Sequence, residues 1–143
     1  MAGGANVGID CQVALDSVGY WLVDGSYSVH RPRLRRAVVT LGAKERYLDA
    51  GPGARVWRFT VAALDGLARF DGRPTGFSGA DYRASLHASY ARLGPLGFVD
   101  PAGVAWSVYI DDLTETPSHL RAAALGLGAG WLLGLTLIEA PAQ

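Results

Sequence analysis

Lysine is almost missing from this chain of 143 residues: Lys44 stands alone among 13 basic side chains, the rest being arginine. Cysteine, methionine and asparagine occur once each, as Cys11, Met1 and Asn6, and glutamate only at 45, 115 and 139. A single cysteine excludes a disulfide framework within one chain and any multi-cysteine metal cluster. A surplus of either charge is also missing, since 13 basic and 13 acidic residues give a net charge of +0. A general nucleic-acid binder normally carries a clear basic excess, so that class is disfavoured. Charged residues make up only 18% of the chain and apolar ones 50%, the reverse of what a disordered tail needs. Scarce Asn, Gln, Cys and Met fit thermal adaptation, but that adaptation should also bring abundant Lys and Glu. A GC-rich coding genome accounts for the whole bias more simply.

What the chain has in quantity is glycine, 19 residues, with seven prolines, which points to many turns and few long helices. Its length fits one domain. The small, Gly-rich stretch 1–8 reads as a flexible arm, with the single β-rich domain over 9–143. The opening residues lack the basic and apolar regions of a signal peptide, so no export is expected.

Period-two alternation marks the strands. Cys11, Val13 and Leu15 alternate with Gln12, Ala14 and Asp16, and the run 20–23 stops at Asp24-Gly25, which predicts a strand pair across that turn. Pro32 keeps 30–33 extended. Strands are expected over 34–41, 45–50, 55–63, 104–110 and 131–139, and an acidic loop over 111–117. The Gly-rich segment 66–80 reads as a long loop, a length that tends to be functional or to meet a partner. One helix is predicted over 81–93, capped by Ser78 or Asp81 and stopped by Gly94-Pro95, with Tyr82, Leu86, Ser89, Tyr90 and Leu93 on one face. Together these elements predict a mainly β fold, an antiparallel β-sandwich or small barrel with one α-helix. The uncharged run 122–138 competes as a membrane span, but it holds four glycines and no basic cluster orients it, so a hairpin ending in a buried strand is preferred.

No constellation carries chemistry. His30, His87 and His119 lack the spacing that preforms a metal site, and Asp111, Asp112 and Glu115 lack the regular oxygen spacing of a calcium loop. Cys11 has no adjacent basic residue, no Gly-x-Ser-x-Gly elbow occurs, and the Gly-rich segments lack the lysine of a phosphate loop. No catalytic, metal or cofactor residue is expected, and the protein reads as a non-enzyme. Arg31, Arg33 and Arg35 fall on one side of an extended chain, with Arg36 on the other. Such a row suits acidic side chains of a neighbouring subunit, for which Asp111, Asp112 and Glu115 are the counterpart, or it simply protects a strand edge. Trp57, Trp106 and Trp131 lie within strands and read as core, while Tyr20-Trp21, Phe70 and Phe77 are possible interface anchors.

The segment Gly97-Phe98-Val99-Asp100-Pro101-Ala102-Gly103 leads into the strand 104–110, and the last strand 131–139 begins at Trp131. This order, with the helix before it, resembles small tail and baseplate proteins of long-tailed bacteriophages. Arg36-Ala37-Val38-Val39-Thr40-Leu41-Gly42, followed by 47–55 and a Trp-containing strand, is similar to the N-terminal β-domain of distal tail proteins. The matching stretches cover about two-thirds of the chain and are turn and strand patterns without a catalytic signature. The resemblance implies a ring-forming structural virion protein, assembled in the bacterial host cytoplasm, whose partners are copies of itself and other virion tail proteins. It implies no cofactor and no specific nucleic acid. A capsid decoration or tail-completion protein is an alternative role. From another class, a binding module would hold a small ligand or sugar between Tyr20, Trp21 and the 66–80 loop, and the membrane reading would anchor 122–138.

Overall fold

The computed structural model describes residues 6–39, 45–118 and 130–141, except for the side chains of 34–51 and of Ser118. Among the described residues nine strands and one helix follow in chain order: β1 (Val13–Leu15), β2 (Val18–Tyr20), β3 (Ser28–His30), β4 (Arg33–Val39), β5 (Glu45–Pro52), β6 (Val56–Leu64), α1 (Gly79–Ala91), β7 (Leu96–Val99), β8 (Ala105–Ser118) and β9 (Gly130–Glu139). Seven of the strands form one antiparallel sheet in the order β2-β1-β7-β8-β9-β6-β3. Among the described residues β4 and β5 pair only with each other, as a separate hairpin.

The mainly β reading with one helix therefore holds, but the sheet is not a closed barrel: β2 and β3 remain edge strands. Yet the sheet must curve. Five strand spacings separate β2 from β6 in the ladder, about 24 Å if it were flat. The chain leaving β2 nevertheless reaches β6 at once, since Leu22 bridges Val61 and the Ala62 N–H donates to the Trp21 carbonyl at 2.8 Å. Two residues of chain span at most about 7 Å, so the far ends of the ladder are drawn together around its apolar face.

That face is built by alternation. Trp57, Phe59, Val61 and Ala63 of β6 stand opposite Leu137, Leu135, Leu133 and Trp131 of β9, and all of these except Trp131 are buried. Val13 and Leu15 of β1, Leu96 and Phe98 of β7 and Val108 of β8 complete the same cluster. Phe59 stacks on Phe98 at 5.7 Å between ring centroids, and Trp57 meets both Phe98 and Trp106 at 5.5 and 5.4 Å.

The helix begins and ends two residues earlier than its apolar pattern suggests. Ser78 caps it in a reciprocal box with Asp81, and the Asp65 carboxylate accepts from the Gly79 N–H at 2.6 Å. Tyr82, Leu86 and Ser89 are buried as expected. Tyr90 and Leu93 are not: Tyr90 is exposed, and Leu93 lies past the helix end with 98% of its surface in solvent.

Two expectations fail for backbone reasons. Asp24-Gly25 does not close a hairpin. The Ser26 hydroxyl donates to the Val23 carbonyl at 2.6 Å and accepts from the Thr60 N–H at 3.1 Å, so it substitutes for a missing rung. The segments before and after the kink consequently follow each other along β6, with 21–23 beside 60–62 and β3 beside 56–58. The hairpin turn lies instead at Asp16-Ser17, both in the left-handed region at φ 52° and 69°. The acidic stretch 111–117 is not a loop but the second half of β8, in register with β9 across a bulge between Ile110 and Asp112. Because the bulge shifts the alternation by one, Leu113 and Glu115 take the side of Leu135 and Leu133, while Asp112 and Thr114 take the other. Of the uncharged run 122–138, residues 130–138 are strand and 122–129 lie outside the described residues.

A two-residue turn of this hand favours glycine at its second position, and a side chain there is strained by roughly 1–2 kcal/mol. Replacing Ser17→Gly is expected to stabilise the fold by about 1 kcal/mol, read as a rise of a few degrees in thermal midpoint. An unchanged or lower midpoint would show that the Ser17 side chain makes a compensating contact.

Candidate assembly surface

The expected Arg row is only partly described. Arg31 is exposed at the base of the β4–β5 hairpin, where its Nε donates to the Gly53 carbonyl at 3.1 Å, and the Gly53 N–H closes the same neck on the Pro32 carbonyl at 2.6 Å. Arg33, also exposed, opens β4. Arg35 stands opposite Asp49 in the hairpin register, with Arg36 opposite Leu48, and their side chains lie outside the described ones. The flexible arm expected over 1–8 lies outside the described residues up to position 5, and Asn6 to Cys11 forms a tight turn in which the Gly8 N–H donates to the Cys11 carbonyl at 2.8 Å.

The two loop phenylalanines sit on an ordered segment. Ala68 bridges Pro74, and the Arg69 N–H donates to the Arg73 carbonyl at 2.8 Å, so part of 66–80 folds as a small tight turn. Phe70 stands at its tip, 59% exposed, edge-on to Trp21 at 4.7 Å. Phe77 is 42% exposed and leans on Tyr82 at 5.3 Å. A groove of about 340 Å³ opens beside Phe70, lined by Cys11, Gln12, Leu22, Val23 and Tyr27 among others. Tyr20, expected at such a site, is wholly buried beneath the helix, its ring 5.9 Å from that of Tyr82.

The three acidic residues of β8 divide into two roles. Glu115 faces the helix, where its carboxylate binds Arg83 through both oxygens and the His87 Nε2 at 3.1 Å, with the Arg83 guanidinium over the Trp131 ring at 5.1 Å. The Arg83 and His87 hydrogen bonds hold the Glu115 carboxyl down to about 2. Asp111 and Asp112 are exposed and have no ion-pair partner among the described residues. On the outer face Asp112 and Arg58 flank Thr136 from the two neighbouring strands.

Sequence reasoning missed the groups that fasten the helix. Asp16, in the strained turn, accepts from Ser89 at 3.2 Å and pairs with Arg92, tying the helix C-terminus to the β1–β2 hairpin. No local pattern announces that pairing, because its members lie more than seventy residues apart. The resemblance-bearing turn is well formed: Asp100 accepts from the Ala102 and Val104 N–H groups at 3.0 and 2.9 Å and from the Trp106 indole N–H at 3.0 Å.

None of these sets places a nucleophile beside a histidine. Burial and the nearby Asp10 charge push the Cys11 thiol up to about 11, so it stays protonated at neutral pH. Among the described residues no three His, Cys, Asp or Glu side chains gather as metal ligands. No helix among them is long and apolar enough to cross a membrane.

No family model and no curated protein matches this chain. The solved structures similar to it include two chains, each at 16% identity. One is a chain of the tail of an empty gene transfer agent particle, described with C6 symmetry, at a TM-score of 0.43 over 82% of this chain and 77% of that one. The other belongs to the virion of a native gene transfer agent particle, at a TM-score of 0.48 over 96% of both chains.

Glu115 ionises more readily folded than unfolded, so its contribution is present above its ordinary range near 4.5 and is lost as pH falls toward about 2. Glu115→Gln is therefore expected to lower the urea midpoint at pH 7 and to have little effect near pH 2. An equal loss at both pH values would assign Glu115 a packing role instead. Asp100→Ala removes three hydrogen bonds at once and is expected to cost about 2 kcal/mol, with a red-shifted, more exposed Trp106 emission.

Proposed function

We propose that this chain is a non-enzymatic structural virion protein, an oligomeric ring component in the tail or baseplate of a tailed phage or phage-like particle. Its partners are copies of itself and other virion proteins, and it takes its place in the particle after assembly in the host cytoplasm. One observation carries the reading: the fold presents unpaired strand edges and a hairpin that, among the described residues, pairs only with itself. An isolated two-stranded hairpin is at best marginally stable in water, and an open edge templates pairing with another chain. Both features are liabilities in a lone molecule and working parts in an assembly. The exposed Phe70, Ile9 and Leu93 add apolar surface that assembly would cover. The Asp100 turn, formed as the resemblance to tail proteins implies, agrees with the reading.

A second reading draws support from the groove beside Phe70, which has the size of a small-ligand site. Its drawback is that Tyr20 is buried in the core and the Gln12 side-chain Oε1 already accepts from the Leu22 N–H at 2.7 Å. A change in Trp21 fluorescence on titration with sugars would favour this reading, and a flat response would dismiss it.

Mass photometry and negative-stain microscopy of the purified protein, alone and with its neighbouring virion proteins, test the assembly reading. Closed rings are the expected result. A monomer that persists at high concentration, alone and in mixture, would overturn it.

A further inference from the structure

We propose that residues 66–76 form a hinged lid, which swings about Gly66 and Gly76 to uncover the Trp21 ring and widen the groove beside Phe70. The inference stands apart from the assembly reading. It gives a task to the glycine-rich loop whose length already sets it apart in the sequence.

The segment between the two glycines holds itself together. The Thr75 N–H donates to the Leu67 carbonyl at 3.1 Å, Ala68 bridges Pro74, and the Arg69 N–H donates to the Arg73 carbonyl at 2.8 Å. At the tip the Gly72 N–H closes on the Arg69 carbonyl at 2.9 Å. Outside the glycines, the Asp65 carboxylate accepts from the Gly79 N–H at 2.6 Å and fixes the base. A self-bonded unit on a fixed base confines motion to the points between them.

Those points are suited to it. Gly66 and Gly76 lie in the left-handed region at φ 76° and 82°, and a Cβ placed on either would meet no other atom within 4 Å. Rotation there moves no side chain of its own and strikes no packed neighbour.

The hold on the body is slight. Among the described residues no backbone-to-backbone hydrogen bond joins 67–75 to the rest of the molecule. Side chains keep the lid shut. Phe70 rests edge-on against Trp21 at 4.7 Å, the Tyr82 hydroxyl donates to Thr75 Oγ1 at 2.8 Å, Arg69 lies 3.9 Å from Asp10, and Leu67 packs against the core. The Arg69–Asp10 pair is partly exposed and long, so it adds little.

The shut lid also leaves a polar group unsatisfied. The Trp21 indole N–H is buried and has no hydrogen-bond partner among the described residues, so it is kept from water without gaining an acceptor. Opening returns it to water. Phe70, packed on that indole, is at the same time a wall of the groove lined by Leu22 and Tyr27. One swing therefore bares Trp21 and moves that wall.

Hydrogen exchange of the indole N–H groups, followed by NMR on the full-length protein, tests the lid. The Trp21 resonance is identified by its loss in Trp21→Phe, and Trp57, 1% exposed, serves as the buried reference. Trp21 is expected to exchange about tenfold or more faster than Trp57, at a rate that mild urea does not change, which marks a local opening. Equal rates with equal urea dependence would mean that the lid lifts only when the whole fold unfolds, and would overturn the proposal. Phe70→Ala is expected to speed Trp21 exchange further and leave Trp57 near its wild-type rate. An unchanged Trp21 rate would remove Phe70 as the seal and the lid with it. Gly66→Ala with Gly76→Ala strains the shut lid and is expected to raise the urea-independent Trp21 rate by about tenfold. No change in that rate would overturn the hinge assignment. None of these outcomes bears on ring formation, so the lid and the assembly reading stand or fall separately.

Discussion

The rung-by-rung pairing of β6 with β9 is the constraint on which the rest of the molecule depends. Nine consecutive register pairs, from Val56–Ile138 to Leu64–Gly130, run without interruption. Their alternation assigns Trp57, Phe59 and Val61 and their partners to the core, and Arg58, Thr60 and Thr136 to the other face. With one face wholly apolar and the other carrying Arg58, Thr60 and Thr136 among smaller aliphatic residues, a slip of one residue would turn these polar groups into the core, so the register is strongly determined. Everything on either side is placed by reference to this ladder: β3 and the 21–23 segment along β6, β8 along β9, and α1 across the apolar face.

The bulge at Asp111 shows how one backbone irregularity distributes function. It lets β8 keep Val108 and Ile110 in the core and still bring Leu113 to the same side further on. As a by-product Glu115 faces the helix, where Arg83 and His87 hold it, and Asp112 faces outward. Three carboxylates that look equivalent along the chain thus become one fastener of the helix and a pair without an ion-pair partner among the described residues. The strain at Asp16-Ser17 is used in a comparable way. A turn with two left-handed non-glycine residues persists because Asp16 also anchors Ser89 and Arg92 of the helix end.

Much of the architecture is legible along the chain. The strand at 55–63, the last strand and the helix start follow from local alternation and from the Ser78–Asp81 box, which are short-range signals. The Asp24-Gly25 hairpin and the acidic loop are misread for one reason. Local turn chemistry says where a chain can bend, but not which distant strand will supply its hydrogen bonds. Ser26 reaching Thr60, and β9 extending far enough to pair with 112–118, are decided by residues tens of positions away. Tyr90 and Leu93 fail similarly, since a helical stripe predicts a face but not where the surface beneath it stops.

The sequence alone determined the class of the protein: a neutral, cysteine-poor, glycine-rich β chain with one capped helix and without the residue spacings of a metal or nucleophilic site. Those properties are local or additive, so they survive without knowledge of the fold. The tertiary structure decided which side chains are fasteners and which are free. Arg31 at the neck of the hairpin, Glu115 beside the helix, and Asp111 and Asp112 without an ion-pair partner among the described residues are distinguished only by strand order and register. The reason is geometric, because an edge exists only once the neighbours of every strand are known.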